Sequence, residues 1–304
     1  MLRGSSASAN TADRAASAQV RLVRRAVIAP FGSNGRSEPE ADVARCKSTR
    51  GSLPPNVVEY AKLNDKLKRN GHVIEAPPTL TIKKDLRRPT EAQIAAFNGA
   101  PTGFVVDAMF GGGALSNNIQ PIGGGRDLKC VAAGPALTAE CGAADVLAVF
   151  ASLKFIRPGD VIVSSFSAHS GCAAGGDGLI GMMKNSGAAG FVTDGPLRDY
   201  DGIVSVGLPV WCTGITPASP HMSGPGAVGF PIQVGAQEVE TGDMIVADQD
   251  GVVVVPFERL DEVIQHLERI RSAEQAQDES VAGGLRVPDW MEQLLASDRV
   301  VFKE

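Results

Sequence analysis

Three charged residues between positions 177 and 202 are of the types that bind divalent cations and small anions. Asp177 is followed, after a gap of twenty residues, by the pair Arg198 and Asp199. Carboxylate oxygens are accepted ligands of Mg²⁺, and a planar guanidinium can bind two oxygens of an acid at once. If the fold brings these three side chains together, they predict a site for a divalent metal and a small anionic substrate.

The elements around these residues are expected to bring them to one edge of a sheet. Asp177 opens a short helical pattern that ends in a glycine- and asparagine-containing break at 185–187, and the apolar segment 190–193 then predicts a strand. Arg198 and Asp199 lie in the turn after that strand. A helix and the parallel strand after it can place these two ends at the same sheet edge. We therefore expect all three side chains beside the free backbone N–H groups of a helix N-terminus.

Each of these residues also has an ordinary structural explanation. Asp177 could be a helix N-cap, and Arg198 and Asp199 could lie in a solvated turn. A second arginine–aspartate dipeptide occurs at 126–127, but Val105 occupies the upstream position that corresponds to Asp177. The full spacing occurs once, which favours a functional site over three unrelated surface residues.

The same stretch contains a competing nucleotide-binding pattern. Residues 176–181 match GxGxxG, open a helix and precede a strand that ends in Asp194, all of which are typical of dinucleotide-binding folds. However, the preceding strand ends near Phe166, about ten residues before the first glycine, whereas the fingerprint requires a tight strand-to-helix turn. The chain after Asp199 also continues in hairpin signals. A dinucleotide-binding oxidoreductase is therefore the weakest of the alternatives.

Charge divides the chain into a basic first part and an acidic remainder. Residues 1–88 contain 17 Lys+Arg and 8 Asp+Glu, and the rest contains 12 and 26, which sum to the net charge of −5. We predict that 1–88 is a mostly disordered extension, with an amphipathic helix at 55–70 and a linker at 71–88. One α/β domain is expected over 89–280. The remainder, 281–304, is expected to be a tail with a short helix.

Compartment and partners follow from composition. The five cysteines form no CxxC pair, which favours reduced thiols and a cytoplasmic location. The arginine-rich, acid-poor residues 1–35 also resemble an organellar transit peptide, which remains the alternative. No apolar run approaches the roughly 20 residues that a membrane helix needs. The arginine cluster at 21–25 lacks interleaved aromatic residues, so nucleic-acid binding is not favoured.

The secondary structure of the predicted domain alternates between helices and strands. A capping box at Thr90 and Gln93 starts a helix that runs to Phe97, and Thr102 is expected to cap a helix over 105–109. Without a following Gly-Lys-Ser/Thr, the glycine runs 111–113 and 123–125 are interpreted as loops. The remaining predicted strands are 129–133, 136–139, 161–163, 244–246 and 252–255, with a hairpin turn at 250–251 and helices at 144–153, 259–277 and 290–295.

The spacing of Asp177, Arg198, Asp199 and Gly202 resembles a motif of the RraA-like family. The resemblance is to its 4-hydroxy-4-methyl-2-oxoglutarate / 4-carboxy-4-hydroxy-2-oxoadipate aldolase branch, and it covers about residues 89–270. Further matching segments are 134–136, 157–161, 207–210, 223–226, 242–243 and 250–256. The resemblance implies a swivelling β/β/α fold. It also implies a trimer or a dimer of trimers, with sites between subunits.

The resemblance also implies roles for individual residues. Asp199 would ligate Mg²⁺ or Mn²⁺, with Asp177 acting on the metal through water and moving protons. Arg198 would hold the pyruvyl oxygens and the developing enolate. The backbone N–H groups after Asp177 would cradle the substrate carboxylate, and they belong to Gly178, Leu179 and Ile180. Family aldolases often have two leucines after this aspartate, where this chain has Gly178 and Leu179, so the pocket shape is expected to differ.

These roles predict a class II pyruvate aldolase that cleaves a 4-hydroxy-2-oxo acid to pyruvate and a second carbonyl compound. A divalent cation and Arg198 would both stabilise the enolate that this cleavage leaves. Oxaloacetate decarboxylation is an expected side activity, because it passes through the same enolate. The rival function is a non-catalytic regulator that binds an RNA-processing enzyme. The family's regulator branch has glycine at the position of Asp177, so Asp177 favours the enzyme.

Other ionisable residues near the predicted site are given smaller roles. His169 and His221 fall in loops rich in glycine, serine and proline, and we interpret them as loop or specificity residues. None of the four histidines has the spacing of a zinc ligand. Lys184 is expected to be solvated, which does not favour a Schiff-base mechanism.

Overall fold

The computed structural model describes residues 78–304, in which strands and helices alternate. The strands are β1 (Leu80–Ile82), β2 (Gln120–Pro121), β3 (Ala132–Cys141), β4 (Val161–Ser165), β5 (Gly190–Thr193), β6 (Val210–Cys212), β7 (Gly226–Val228), β8 (Ile232–Val234), β9 (Gln237–Val239), β10 (Met244–Ala247) and β11 (Val252–Val255). The helices are α1 (Glu91–Phe97), α2 (Thr102–Ala108), α3 (Leu147–Ser152), α4 (Asp177–Asn185), α5 (Tyr200–Val206), α6 (Leu260–Ala282) and α7 (Asp289–Leu295). The predicted α/β class is confirmed. No helix of this part is long and apolar enough to cross a membrane.

The main sheet is built on four parallel strands. Its order is β1-β7-β3-β4-β5-β6-β2, and the neighbours from β3 to β6 run parallel. Every residue of β4, β5 and β6 is buried. Parallel strands with both faces covered have such continuous apolar runs. The ends of these strands carry the loops that contain the predicted site residues.

Strand β3 belongs to two sheets. Its first four residues, Ala132–Pro135, pair with β10, and its later residues pair with β4 and β7. The predicted pair of strands at 129–133 and 136–139 is therefore one strand that begins at Ala132. The Gly134-Pro135 dipeptide suggested a break because glycine and proline interrupt regular structure. It marks the position where the strand changes partners, and a Cβ at Gly134 would overlap the carbonyl oxygen of Gly159.

The hairpin of β10 and β11 forms a layer between two hydrophobic cores. Its turn contains the predicted Asp250-Gly251. Alternate residues of a strand point to opposite faces. Ile245 and Val254 join the core under the main sheet, whereas Met244 and Val255 join a second core with the helices. The helical residues of the second core are Phe97, Val105, Ala108, Leu260, Val263 and Leu267.

Residues 79–88, which the sequence pattern assigns to a linker, are part of the folded body. Strand β1 pairs with β7, and Arg88 makes a two-pronged ion pair with Asp160 at 2.7 and 2.8 Å. Both of these side chains are buried. The linker interpretation is wrong for this segment, because local composition does not show that a distant carboxylate binds Arg88. The predicted helix at 55–70 lies outside the described residues.

Two helix starts differ from their predicted positions. The capping box at Thr90 is present, but Thr102 is the first residue of α2 rather than its cap. The hydroxyl and N–H of Thr102 both donate to the carboxylate of Asp248, at 2.8 Å each. The helix predicted over 144–153 begins at Leu147. The segment before it is held by Asp145, and a side chain's tertiary hydrogen bonds are not visible in a local pattern.

Candidate active site

A cavity of about 340 Å³ lies beyond the carboxyl ends of the parallel strands. Its walls come from the start of α4, the turn after β5 and the loop after β6. The lining residues are Val146, Phe150, Gly175, Gly176, Asp177, Gly178, Leu179, Met182, Arg198, Asp199, Ser219, Pro220 and Met222. The fold therefore brings Asp177, Arg198 and Asp199 to one cavity. Ligands of open α/β sheets bind at this edge.

Asp177 is the first residue of α4, and Gly176 occupies the N-cap position. The N-cap explanation of this aspartate is therefore wrong. Its Oδ1 accepts the N–H of Gly178 at 2.6 Å. The N–H of Ile180 is bonded to the carbonyl of Gly176, whereas that of Leu179 has no backbone acceptor within residues 78–304. The N–H of Leu179 is thus the free donor among the three that are expected to cradle an anion.

The motif glycine Gly202 explains the close approach of α4 and α5. A Cβ at this position would overlap the side chain of Asp177, including its Oδ2 atom. Gly176 has a similar role on the other side, because a Cβ there would overlap Oδ2 of Asp199 and lie 3.1 Å from Nε of Arg198. The two glycines give the carboxylates the space to face the same cavity.

Asp199 has a backbone conformation that is uncommon for a residue with a side chain. Its φ of 63° and ψ of 48° are left-handed, and residues held in this region cluster at functional sites. Asp199 occupies the N-cap position of α5, yet its side chain makes no capping hydrogen bond. Its carboxylate is instead 3.2 Å from Nε of Arg198 and is exposed to the cavity. The left-handed conformation of Asp199 therefore costs free energy, and it directs the carboxylate away from the helix that follows.

Arg198 is oriented by two neighbours. Nε donates to Asp199, and Nη1 donates to the hydroxyl of Ser219 at 2.8 Å. These contacts leave Nη2 as the terminal nitrogen without a protein acceptor among the described residues. The plane of the guanidinium is therefore set before a ligand binds, which favours bidentate binding of an acid. Sequence reasoning missed Ser219, because a serine in a loop 21 residues after Arg198 carries no local signal.

Asp145 holds two walls of the cavity together. Its carboxylate accepts the N–H groups of Leu147, Ser223 and Gly224 at 2.8, 2.6 and 3.0 Å. Burial opposes ionisation of this group, but the hydrogen bonds outweigh burial and lower its pKa. The start of α3 and the loop after β6 are thus tied to one buried charge. Sequence reasoning missed Asp145 as well.

Much of the remaining cavity lining is apolar. Val146 and Leu179 are buried in it, whereas Met182 and Met222 are 41% and 62% exposed. The remaining apolar residues of this wall are Phe150 and Pro220. The two methionines can adjust their side chains to what binds there.

A second and larger cavity, of about 600 Å³, follows the same strands. It is lined by the carboxylates Glu140, Asp194 and Glu238 and by residues of the β8–β9 hairpin. The carboxylate of Asp194 accepts backbone N–H groups of Phe166 and Ala168. Burial raises the pKa of Asp194 despite these bonds. Sequence reasoning did not predict this cavity, because its walls come from five separate segments.

The histidines and the lysine named from the sequence do not line the first cavity. His169 packs edge-on against Phe166, with the ring centroids 5.7 Å apart. The backbone N–H of His221 donates to Ala144, and the amine of Lys184 donates to the carbonyl of Val206. The interpretation that none of them is a catalytic base is consistent with these positions.

Asp177 and Asp199 are suitable donors for a divalent metal. Within the described residues no group of three or more His, Cys, Asp or Glu side chains could hold a metal by itself. Mg²⁺ is commonly bound through one or two carboxylates, with waters and substrate oxygens completing the sphere. Two oxygen-donor side chains beside a guanidinium therefore fit a metal that binds together with its substrate. Within the same residues, this cavity has no nitrogen or sulfur ligand set of the kind that zinc prefers.

A family model decides the relationship of this chain to known proteins. The model of the RraA-like family (Aldolase/RraA) matches residues 102–254. The chain belongs to the RraA-like family. The expected RraA-like fold, inferred from the motif spacing, is thereby confirmed, and the matched residues include all three charged residues of the first cavity.

Individual relatives of this RraA-like chain fall in two groups. A Halalkalibacterium halodurans protein, provisionally named as a 4-hydroxy-4-methyl-2-oxoglutarate aldolase, is 33% identical over 189 residues, covering 62% of this chain and 88% of that protein. A Burkholderia mallei protein with the same provisional name is 31% identical over 135 residues, covering 44% and 79%. The structure of RraAS2 from Streptomyces coelicolor, described as an unusual member of the RNase ES inhibitor RraA family, has 26% identity and a TM-score of 0.55, covering 64% and 99%. The named sequence relatives support the aldolase branch.

Proposed function

We propose that this RraA-like protein is a metal-dependent class II pyruvate aldolase that cleaves a 4-hydroxy-2-oxo acid. The observation that carries the proposal is the convergence of Asp177, Arg198 and Asp199 at one cavity, with the guanidinium oriented by Ser219. A fixed positive charge beside two carboxylates suits a reaction that develops an oxyanion next to a carbonyl.

Binding of the substrate would begin at Arg198. Its free Nη2 and the N–H of Leu179 can donate hydrogen bonds to the carboxylate and the 2-oxo oxygen of the acid. Asp199 would hold Mg²⁺ or Mn²⁺, with Asp177 as an indirect ligand through water. The metal would supply Lewis-acid stabilisation of the charge that develops on the 2-oxo oxygen.

The cleavage conserves atoms and electrons with no added oxidant or reductant. The C4 hydroxyl loses its proton, the C3–C4 bond breaks, and C4 becomes the carbonyl of the second product. The electron pair of the broken bond forms the enolate of pyruvate, which takes up one proton at C3. Asp177, half-buried at the cavity wall, is the carboxylate that we assign to proton transfer.

Decarboxylation of oxaloacetate is proposed as a side activity of the same site. Loss of CO₂ leaves the same enolate, so Arg198 would stabilise it in the same way. Oxaloacetate has no further substituent on C4 that the cavity must accommodate, because its C4 is the carboxylate that leaves as CO₂. We therefore expect slow but metal-dependent release of pyruvate from oxaloacetate, measured against the uncatalysed rate with the same metal.

A regulator of an RNA-processing enzyme is the second candidate function. The likeness to RraAS2 favours it, whereas Asp177 favours the enzyme. The discriminating measurement is pyruvate release from a panel of 4-hydroxy-2-oxo acids, with Mg²⁺, with Mn²⁺ and with a chelator. Exchange of the pyruvate methyl protons for deuterium in D₂O gives a second readout, because it requires only enolate formation. If neither substitution of Arg198 nor removal of the metal changes the rate of pyruvate release or of deuterium exchange, the aldolase proposal is wrong.

The proposal includes assembly into a trimer or a dimer of trimers with sites between subunits. The exposed Asp199 and Met222 leave one side of the cavity open, which a neighbouring subunit could close. Light scattering should give a mass near three or six times 31.6 kDa. An active monomer would contradict this part of the proposal and leave the aldolase assignment standing.

A further inference from the structure

Two features of the sequence take no part in the proposed reaction: the glycine run at 123–125 and the second arginine–aspartate pair at 126–127. The structure places both of them against one side chain, that of Tyr200. The hydroxyl of Tyr200 donates to Oδ2 of Asp127 at 2.6 Å. Its ring lies over Gly123, where an added Cβ would overlap the ring edge and the hydroxyl. Tyr200 is therefore held both by its ring and by its hydroxyl.

The loop that receives this side chain is itself fixed to the body. Nε of Arg126 donates to the carbonyl of Gly123 at 3.0 Å, and the side-chain amide of Gln249 donates to the carbonyl of Gly124. The residue before the glycines, Ile122, is buried, and strand β2 before it pairs with β6. The loop can therefore resist movement of α5.

Tyr200 directly follows Asp199, whose left-handed backbone needs support from its surroundings. Strained conformations persist only where neighbouring contacts over-determine them. On the preceding side, the N–H of Arg198 donates to the carbonyl of Gly175 at 3.1 Å. On the following side, the contacts of Tyr200 with the loop and with the main core fix the start of α5. The turn at Asp199 is thus held between two attached residues.

Asp199 has a less strained conformation available if the start of α5 is released. Aspartate is a preferred N-cap residue, and a capping aspartate has an extended backbone and accepts an N–H of the first helical turn. Asp199 already occupies the N-cap position, but its φ of 63° is left-handed and its carboxylate is bonded to Arg198 instead. Relaxation to an ordinary cap would turn this carboxylate towards α5 and away from the cavity.

We propose that Tyr200 and Asp127 are positioning residues for the metal ligand Asp199. Their hydrogen bond holds the start of α5, so that the Asp199 backbone stays left-handed and its carboxylate stays at the cavity. Neither side chain is among those that line the cavity, so both act through Asp199. The positioning role rests on the proposed metal-dependent function. It also gives the second arginine–aspartate pair a purpose that its spacing did not indicate.

Binding of Mn²⁺ to the full chain without substrate tests the proposal, with electron paramagnetic resonance measuring the free ion. Tyr200→Phe removes the hydroxyl and keeps the ring, so the variant should fold. We expect its Kd for Mn²⁺ to rise about fivefold, because loss of a hydrogen bond that orients a ligand weakens a metal site. Its Tm should stay within about 2 °C of the wild type, since the lost bond is exposed. An unchanged Kd, with or without a lower Tm, would overturn the proposal.

Variants of Asp127 separate its hydrogen bond from its charge. Asp127→Ala should raise the Kd as much as Tyr200→Phe, and the double variant should bind no more weakly than either single one, because all three lack the same bond. Asp127→Asn keeps an oxygen acceptor and should lose about twofold at most. An equal loss in Asp127→Asn and Asp127→Ala, or multiplied losses in the double variant, would contradict the positioning role.

Ser205→Ala is the matched control within α5. Ser205 also donates a hydroxyl hydrogen bond, to the carbonyl of Asp201 at 2.8 Å, and it does not line the first cavity. The Kd of this variant for Mn²⁺ should stay within about twofold of the wild type. A rise as large as that of Tyr200→Phe would show that any weakening of α5 affects metal binding, and the specific role of Tyr200 would be wrong.

Asp199→Ala separates failure of this proposal from failure of the proposed function. Mn²⁺ affinity that depends on Asp199 but not on Tyr200 would overturn the positioning role alone. Equal Mn²⁺ affinity in the wild type and in Asp199→Ala would overturn the metal assignment, and the positioning role with it.

Discussion

Two cavities lie beyond the carboxyl ends of β4 and β5, and they differ most in charge. The first contains Arg198 with two carboxylates and an apolar wall, whereas the larger one contains three carboxylates and, among residues 78–304, no basic side chain. Volume alone would select the larger cavity as the active site. A 2-oxo acid is an anion, and only the first cavity offers it a positive charge. Charge and free hydrogen-bond donors, rather than size, therefore separate the candidate active site from its neighbour.

The largest expected effect is that of Asp199→Ala. The variant should lose essentially all metal-dependent turnover, by about 10³-fold or more, because the proposed direct ligand is removed. Its stability should fall by no more than about 1 kcal/mol, since Asp199 is exposed but alanine is less favourable than aspartate in the left-handed region. Pyruvate release and thermal unfolding measured on the same preparation test both statements. A folded variant with near-normal rates would exclude the metal assignment.

Arg198→Lys is expected to have the next largest effect. Lysine retains the charge but cannot donate to Ser219 and to a substrate in the planar geometry of arginine. We expect kcat to fall by about 10²–10³-fold, with Mn²⁺ affinity retained because Asp199 is untouched. Titration with Mn²⁺, followed by electron paramagnetic resonance, measures the affinity separately. Full activity in this variant would remove the reason for preferring the first cavity.

Gly202→Ala tests whether the approach of α5 to Asp177 matters. The added Cβ would overlap the Asp177 side chain, so we expect kcat to fall by about tenfold through displaced geometry. Gly181→Ala is the control, since a Cβ there would lie 3.8 Å from Val206. The control should keep its activity and gain up to about 1 kcal/mol from helix propensity. Equal activity of the two variants would show that Asp177 tolerates displacement.

One carboxyl group beside each cavity should make the stability of the protein depend on pH, and the two dependences should have opposite directions. The pKa of Asp145, beside the first cavity, is lowered from 3.8, so its contribution to stability is present above that value and is lost as pH falls through the lowered pKa. The pKa of Asp194, in the second, is raised from 3.8, so its contribution is present at low pH and is lost as pH rises through the raised pKa.

Urea unfolding from about pH 3 to about pH 7 measures these contributions in the wild type, Asp145→Asn and Asp194→Asn. Asp145→Asn should be less stable by about 1–2 kcal/mol at neutral pH, and this difference should shrink in acid. The wild type should gain stability relative to Asp194→Asn as the pH falls. Parallel curves for both variants would contradict the assigned pKa directions.

A change in the second cavity is expected to have the smallest effect on turnover. Glu140→Gln removes an exposed carboxylate that lines only that cavity. Turnover of a 4-hydroxy-2-oxo acid should stay within about twofold, since the charge of this exposed side chain is screened by water and salt. A large loss would show that the acidic cavity takes part in the reaction, and the comparison on charge would no longer identify the active site.

Periodic patterns predicted the elements of the body well, because local sequence determines them. The capping box at Thr90, the strand at 190–193 and the hairpin at Asp250-Gly251 all occur as expected. The charged residues of the first cavity were predicted from spacing alone, because one helix and one strand connect them. Their meeting required no long-range information.

Long-range contacts account for what sequence reasoning missed. Ser219 contacts Arg198 through a loop that no local pattern positions. Arg88 is part of the body because Asp160, 72 residues later, binds it. The acidic cavity is assembled from segments that are far apart in the chain. Each of these features depends on tertiary partners, which composition and periodicity do not specify.

The position of β3 in two sheets has a consequence for the way the body comes apart. Opening the hairpin layer exposes the first half of β3, and opening the main sheet exposes the second half. Neither core can then open alone without breaking a ladder of the same strand. The amide hydrogens of Gly134, which pairs with Ile245, and Leu137, which pairs with Ile162, should therefore exchange with solvent at one common rate, set by unfolding of the whole body. A single strand thus makes two cores into one cooperative unit.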